Sequence, residues 1–169
     1  MTFTGSGGAA YSSASDNWAT PMEFWRTLDA EFGFTLDACA SPDNAKCARY
    51  YTREDDGLAQ PWEGIVWCNP PYGRELALWV HKAWEEAAAG ALVVMLLPAR
   101  TDARWFHTYV LPCAEVRYLP GRLRFGGASA GAPFPSMVCV WRPNSYLALD
   151  IACHASSRGA RGSVAPALA

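Results

Sequence analysis

The chain has 169 residues, 51% of them hydrophobic and 13% aromatic, enough for one α/β domain with a real core and too many apolar groups for wholesale disorder. No apolar run approaches the roughly 20 residues of a membrane span, and the first residues lack a basic-then-apolar signal pattern, so a cytoplasmic location is the expectation. The formal net charge of -2 argues against a generally nucleic-acid-sticky protein. Its distribution is uneven: between Arg100 and Arg142 lie six arginines, no lysine and two acids, a local balance of +4.

Residues 1–17 are rich in Gly, Ser and Ala without a period and are expected to form a mobile arm. A helix start follows, with Thr20 as N-cap, Pro21 at the first helical position and Glu23 closing a capping box. Phe24, Trp25, Leu28 and Phe32 then recur at helical spacing, and Gly33 ends the helix. Phe34 to Ser41 reads as a strand that turns small. Asp37 at its end is costly to bury unless it is paired or reaches into a cleft, and Ala38, Ala40 and Ser41 let a ligand approach the backbone. Residues 45–51 are expected to be a short helix running into an extended piece, and Asp55-Asp56-Gly57-Leu58 a turn.

Ile65 to Cys68 has the pattern of a strand buried on both faces, and it stops at Asn69-Pro70-Pro71-Tyr72. The prolines fix φ and hold the residue before each one extended, so the Asn69 side chain and the Asn69 and Pro70 carbonyls take preset directions. In open α/β sheets ligands bind at the carboxyl ends of the strands, so Asn69 and Tyr72 are expected to stand in a cleft. Two oxygen acceptors beside an aromatic face suit a planar amine with two hydrogens, such as that of adenine or cytosine, or a carboxamide. Next come a helix with Leu76, Trp79, Val80, Ala83, Trp84 and Ala87 on one face, and a central strand from Ala91 to Leu97. Asp102 caps a further helix that turns Phe106, Tyr109 and Val110 inward. Strands at 115–119 and 136–141 form a terminal antiparallel hairpin, with Arg122 to Phe125 continuing the first strand or starting a new edge. From residue 144 the pattern fades, and residues 144–169 are expected to form a flexible tail.

The Asn-Pro-Pro-Tyr motif, with the Thr-Pro helix, the Asp-containing strand, the apolar strand and the terminal hairpin in this order, resembles the phage-type DNA N-6-adenine methyltransferases, a Dam-like family. The resemblance covers residues 18–143. It implies a single Rossmann-like methyltransferase domain, mostly parallel in its sheet and closed by a C-terminal antiparallel hairpin. It also implies S-adenosylmethionine as methyl donor, DNA as partner, and a phage or prophage setting. Asn69, Pro70, Pro71 and Tyr72 then become catalytic. Thr20 and Pro21 at the helix start, with Trp18 beside them, and Asp37, Ala38, Cys39, Ala40 and Ser41 at the strand end become cofactor-binding. Asp56 is the candidate for the cofactor adenine, against the alternative of a solvated turn. Arg100, Arg122 and Arg124 become DNA contacts. The chain departs from the wider methyltransferase pattern in having no Gly-x-Gly after its first strand.

Three other readings use the same residues. RNA or protein-glutamine methylation needs the same amine geometry, and a catalytically silent DNA-binding relative needs only the fold. The six cysteines (Cys39, Cys47, Cys68, Cys113, Cys139, Cys153) form no C-x-x-C pair and the three histidines are scattered, so no metal is assigned.

Overall fold

A computed structural model describes residues 19–127 and 130–143; Trp18, the expected arm, the expected tail and Cys153 lie outside the described residues. The fold is mixed α/β, built on one five-stranded sheet. Helix α1 (Met22–Phe32) leads into β1 (Leu36–Asp37) and β2 (Ile65–Cys68), then α2 (Leu76–Ala88) and β3 (Leu92–Pro98). A π-helical turn at Phe106–Val110 precedes β4 (Glu115–Tyr118), and β5 (Ser136–Trp141) closes the described chain.

The spatial order is β1-β2-β3-β5-β4, with β1, β2 and β3 parallel and β5 antiparallel to both β3 and β4. The terminal hairpin is therefore present, but its second strand is the one inserted into the sheet. Composition explains the order. All six residues of β5 are buried, as are most of β3, and such runs need a neighbour on each side. Strand β4, Glu-Val-Arg-Tyr, is exposed at both ends and tolerates the edge. The arrangement places Asp37, Cys68, Pro98 and Tyr118 at one edge of the sheet, beside Ser136 at the start of β5.

Helix α1 buries Trp25 and Leu28, and Phe34 sits between Trp25 and Trp67 with ring centroids 6.0 and 5.5 Å away. Gly33, at φ 71, ends the helix by donating its N–H to the Asp29 carbonyl, a conformation that suits glycine.

Several local expectations fail, each for a tertiary reason. The cap of α1 is Pro21 with no side-chain hydrogen bond, so Thr20 is not a cap and the Glu23 capping box does not form. Residues 45–51 are not helical: Asp37 donates its N–H to the Arg49 carbonyl, accepts the Tyr51 N–H, and pairs with Tyr50 as an extra rung beside β1. Asp102 gives the following helical turn no side-chain cap. Arg122 to Phe125 is loop entering a 3-10 turn at Phe125–Gly127.

Candidate active site

Asn69 leaves the end of β2 and its carboxamide is held at both ends. Its Nδ2 donates to Thr20 Oγ1 at 2.9 Å, and its Oδ1 accepts from the Tyr72 hydroxyl at 2.9 Å. The same hydroxyl lies 3.2 Å from the Leu96 carbonyl oxygen on β3. A phenol carries one proton, so Tyr72 sits between two acceptors and serves one of them at a time.

Tyr72 does not stand open in a cleft as expected. It is only 6% exposed, and Phe134 and Phe125 pack on it edge-to-face at 5.4 and 6.3 Å between centroids. These phenylalanines come from the connection between β4 and β5, and large apolar rings gather where they can leave water. Burial pushes the Tyr72 phenol well above its ordinary pKa, so it remains a protonated donor.

Asp37 is 2% exposed. Its Oδ1 accepts the Cys39 N–H at 3.3 Å and its Oδ2 the Lys46 N–H at 3.0 Å. Burial raises its pKa from 3.8 to about 6, against the opposing pull of those two backbone donors and of the Lys46 charge. Burial and the Asp37 charge push the Cys39 thiol up to about 12, so it is an inert lining group.

A small cleft of about 20 Å³, room for roughly one water, joins Thr20, Asp37, Cys39, Asn44, Lys46 and Asn69. Four residues singled out in the sequence thus meet across segments up to 49 residues apart. Ala38 and Ala40 donate their backbone N–H groups to the Trp67 and Tyr51 carbonyls, while Ser41 donates its own to Asn44 Oδ1. Pro21, the residue just before α1, follows Thr20 directly.

The structure does not bring Asp56 to this cleft. Its carboxylate accepts the Leu58 N–H in an exposed turn, at φ 54. The turn itself touches the site's frame: a Cβ on Gly57 would lie 2.3 Å from the Ala38 carbonyl oxygen. Sequence reasoning missed Lys46, Asn44 and the two phenylalanines. The only hints were a polar Asn-Ala-Lys run soon after a buried aspartate, and aromatic residues in an otherwise small-residue loop.

The positive block between residues 100 and 142 is not one face. Arg117 pairs with Glu31 and Glu115, and Arg142 with Glu115, stitching β4 to α1 and to the end of β5. Arg100 lies at the site edge, its Nη2 3.5 Å from the Tyr72 carbonyl oxygen. Arg122 and Arg124 are exposed on the β4–β5 connection, which Gly126 ties to the site by donating its N–H to the Ala19 carbonyl at 2.9 Å.

A model of the DNA N-6-adenine-methyltransferase (Dam) family matches residues 8–157. The chain belongs to this family. It is 35% identical over 111 residues to the DNA N-6-adenine-methyltransferase of Escherichia phage T1, a match covering 64% of this chain and 46% of that protein. The chain thus spans about half the length of the phage T1 relative. With the DNA N-6-adenine-methyltransferase of Haemophilus phage HP1 it shares 32% identity over 142 residues, 79% of this chain and 82% of the relative. A third relative, the putative methyltransferase YfdM of Escherichia coli K12, is 43% identical over 65 residues, 34% of this chain and 71% of that protein. Among the described residues no helix of this Dam-family chain is long and apolar enough to cross a membrane, and no three His, Cys, Asp or Glu side chains converge as metal ligands would.

Proposed function

We propose that the chain methylates the exocyclic N6 of adenine in DNA, with S-adenosylmethionine as donor, on a Rossmann-like methyltransferase frame. Family membership and the activity named for the phage T1 and HP1 relatives support the reaction. The observation that carries it to this site is the Asn69 carboxamide, braced by Pro70 and aimed from the end of β2 with its oxygen towards Tyr72.

The cleft chemistry fits the zwitterionic end of the cofactor: a buried carboxylate at Asp37, a cation at Lys46, and the Thr20-Pro21 start of α1, whose first turn favours negative charge. The water-sized cleft must widen to admit it. When bound, the cofactor supplies an electrophilic methyl on a sulfonium that is already an activated leaving group. Asp37 would hold the cofactor ammonium, and the small residues Ala38 to Ser41 would let it approach the strand end.

A stacked adenine cannot reach this position, so the base is unpaired or extruded, at a cost of a few kcal/mol. Asn69 Oδ1 and the Pro70 carbonyl accept its two N6 hydrogens, which draws the nitrogen towards tetrahedral geometry and frees its lone pair. Oδ1 has two lone pairs, so it accepts an N6 hydrogen beside the Tyr72 hydroxyl, which also has the Leu96 carbonyl within hydrogen-bond reach. The Tyr72 ring offers the base a stacking surface worth roughly 1–3 kcal/mol once Phe125 and Phe134 give way. The loop carrying those rings also carries Arg122 and Arg124, so phosphate contact and opening of the site reside in one segment, with Arg100 at its margin. Asn69 is neutral and positions the amine without acting as a base; the proton leaves to water after transfer, and placement supplies much of the rate.

Tritiated-methyl transfer to DNA by wild type and Asn69→Ala, with S-adenosylhomocysteine binding measured on both, tests the reading. Wild type should label adenine at N6, and the variant should bind the cofactor product but transfer roughly a hundred-fold more slowly or worse. Equal incorporation by both would sink the assignment.

A further inference from the structure

We infer that Asn44 and Lys46 are a specificity-determining pair that holds the cofactor's α-carboxylate, so that the cleft selects a donor carrying that carboxylate over its decarboxylated counterpart. The inference rests on the reading of this cleft as the seat of the cofactor's amino-acid end. It starts from the missing Gly-x-Gly after β1. A glycine-rich loop binds an anion through backbone N–H groups that have no partner of their own. In this chain those groups are already engaged.

Between Ala38 and Lys46, Pro42 has no backbone N–H, and every other one except that of Asp43 is taken within the protein. Ala38 and Ala40 donate to the Trp67 and Tyr51 carbonyls, Cys39 and Lys46 to the two oxygens of Asp37, and Asn44 and Ala45 to the Ser41 carbonyl. Ser41 donates to Asn44 Oδ1 at 2.7 Å. Anion binding by this segment therefore falls to side chains, and the two side-chain nitrogens it brings to the cleft belong to Asn44 and Lys46. Both are offered as donors. An N–H at 2.7 Å calls for the oxygen end of the Asn44 amide, which leaves the two Nδ2 hydrogens without a partner among the described residues. Asp37 takes the backbone N–H of Lys46 and not its ammonium, and no ion pair among the described residues includes Lys46. A buried carboxylate and two uncommitted donors thus share one cleft without satisfying one another. An α-amino acid is their complement, with its ammonium on Asp37 and its carboxylate on Asn44 and Lys46. Lys46 sets the spacing, since its N–H holds Asp37 while its side chain meets the opposite charge.

The test measures two affinities by calorimetry on the full chain at neutral pH. One ligand is S-adenosylhomocysteine, the other its decarboxylated S-aminopropyl analogue, which keeps the ammonium and lacks the carboxylate. Wild type should prefer S-adenosylhomocysteine by roughly a hundred-fold, the scale of charge-assisted hydrogen bonds. Lys46→Met, which keeps the backbone N–H on Asp37, should cut that preference by roughly ten-fold or more. Asn44→Asp keeps an oxygen for the Ser41 N–H but sets a negative charge against the carboxylate, and should cut the preference at least as far. A looser turn or a changed Asp37 would move both affinities together and leave their ratio alone. Equal affinity of wild type for the two ligands, or a preference unchanged in both variants, overturns the proposal. Should neither variant fold, the Asn44 side-chain amide protons of the wild type decide. Shifts with S-adenosylhomocysteine that the analogue does not produce support the proposal, and equal shifts overturn it. A wild type that binds neither ligand would remove the cofactor reading, and the proposal with it.

Discussion

Replacing Asp37 with asparagine should change the pH dependence of folding far more than the fold itself. The Asp37 carboxyl is buried, and desolvation lifts its pKa from 3.8 to about 6 in spite of two backbone N–H donors and the nearby Lys46 charge. The folded chain therefore holds a proton that the unfolded chain has already released between about pH 4 and 6. Stability from this group is fully present below pH 4 and is lost as pH rises through about 6, an amount of roughly 3 kcal/mol. Asparagine carries no such proton. It keeps one acceptor for the Cys39 and Lys46 N–H groups and turns donors towards the other, an offset of about 1–3 kcal/mol that does not vary with pH. The two proteins share every other titrating group, so their difference isolates this one. Urea unfolding in steps from pH 4 to 7.5 should show Asp37→Asn gaining on wild type by roughly 3 kcal/mol, with the gain levelling off above about pH 6. A difference that stays flat across that range would refute the desolvated carboxylate. The same titration bears on the ligand. The ionised form is the one that meets an ammonium, so S-adenosylhomocysteine should bind wild type more tightly at pH 7 than at pH 5. Binding of 5′-methylthioadenosine, which has no ammonium, should lack that Asp37-dependent change.

Gly57→Ala should destabilise the chain by roughly 1–3 kcal/mol in urea unfolding, because the new Cβ would lie 2.3 Å from the Ala38 carbonyl oxygen, backbone that cannot swing aside, and 3.1 Å from the Trp79 ring. It should also weaken S-adenosylhomocysteine binding, since Ala38 follows Asp37; unchanged stability would show that the 53–59 turn does not press on β1. Arg122→Ala with Arg124→Ala should weaken DNA binding and reduce the steepness of log affinity against log salt by up to about 2, at about 0.9 per phosphate lost on duplex. Arg117→Ala is the control: its guanidinium is taken by Glu31 and Glu115, and the salt slope should not move.

The frame of the site was legible because it is written in local patterns. Ile65 to Cys68 carries its own strand signature and its own stop, and the apolar run ending at Leu97 could only be a buried strand. Even the cost of burying Asp37 could be anticipated, although the partners turned out to be backbone N–H groups nine and two residues on. What could not be read was decided by contacts between distant segments. Residues 45–51 have helix-compatible composition, yet the Asp37 main chain claims Arg49 and Tyr51 and draws them out beside β1. The burial of Tyr72 depends on rings more than fifty residues later, and the arginine block divides according to which carboxylates the fold brings near. Thr20 and Asn69 each have a plausible separate role in the sequence; their hydrogen bond exists only once α1 is laid against the end of β2.

The acceptor that the proposed reaction needs is already engaged inside the protein: Asn69 Oδ1 holds the Tyr72 proton. A bare half-buried carbonyl would cost roughly 1–3 kcal/mol, so the free chain fills it from within. A carbonyl oxygen has two lone pairs, so on the proposed reading an incoming amine either shares Oδ1 with Tyr72 or sends that hydroxyl to the Leu96 carbonyl, 3.2 Å away. An unmethylated amine brings two hydrogens, one for Asn69 Oδ1 and one for the Pro70 carbonyl, whereas the methylated product has one N–H and leaves one of these acceptors without it. On that reading the same hydrogen count that admits adenine favours release of N6-methyladenine after a single transfer, without any group on the protein having to recognise the new methyl.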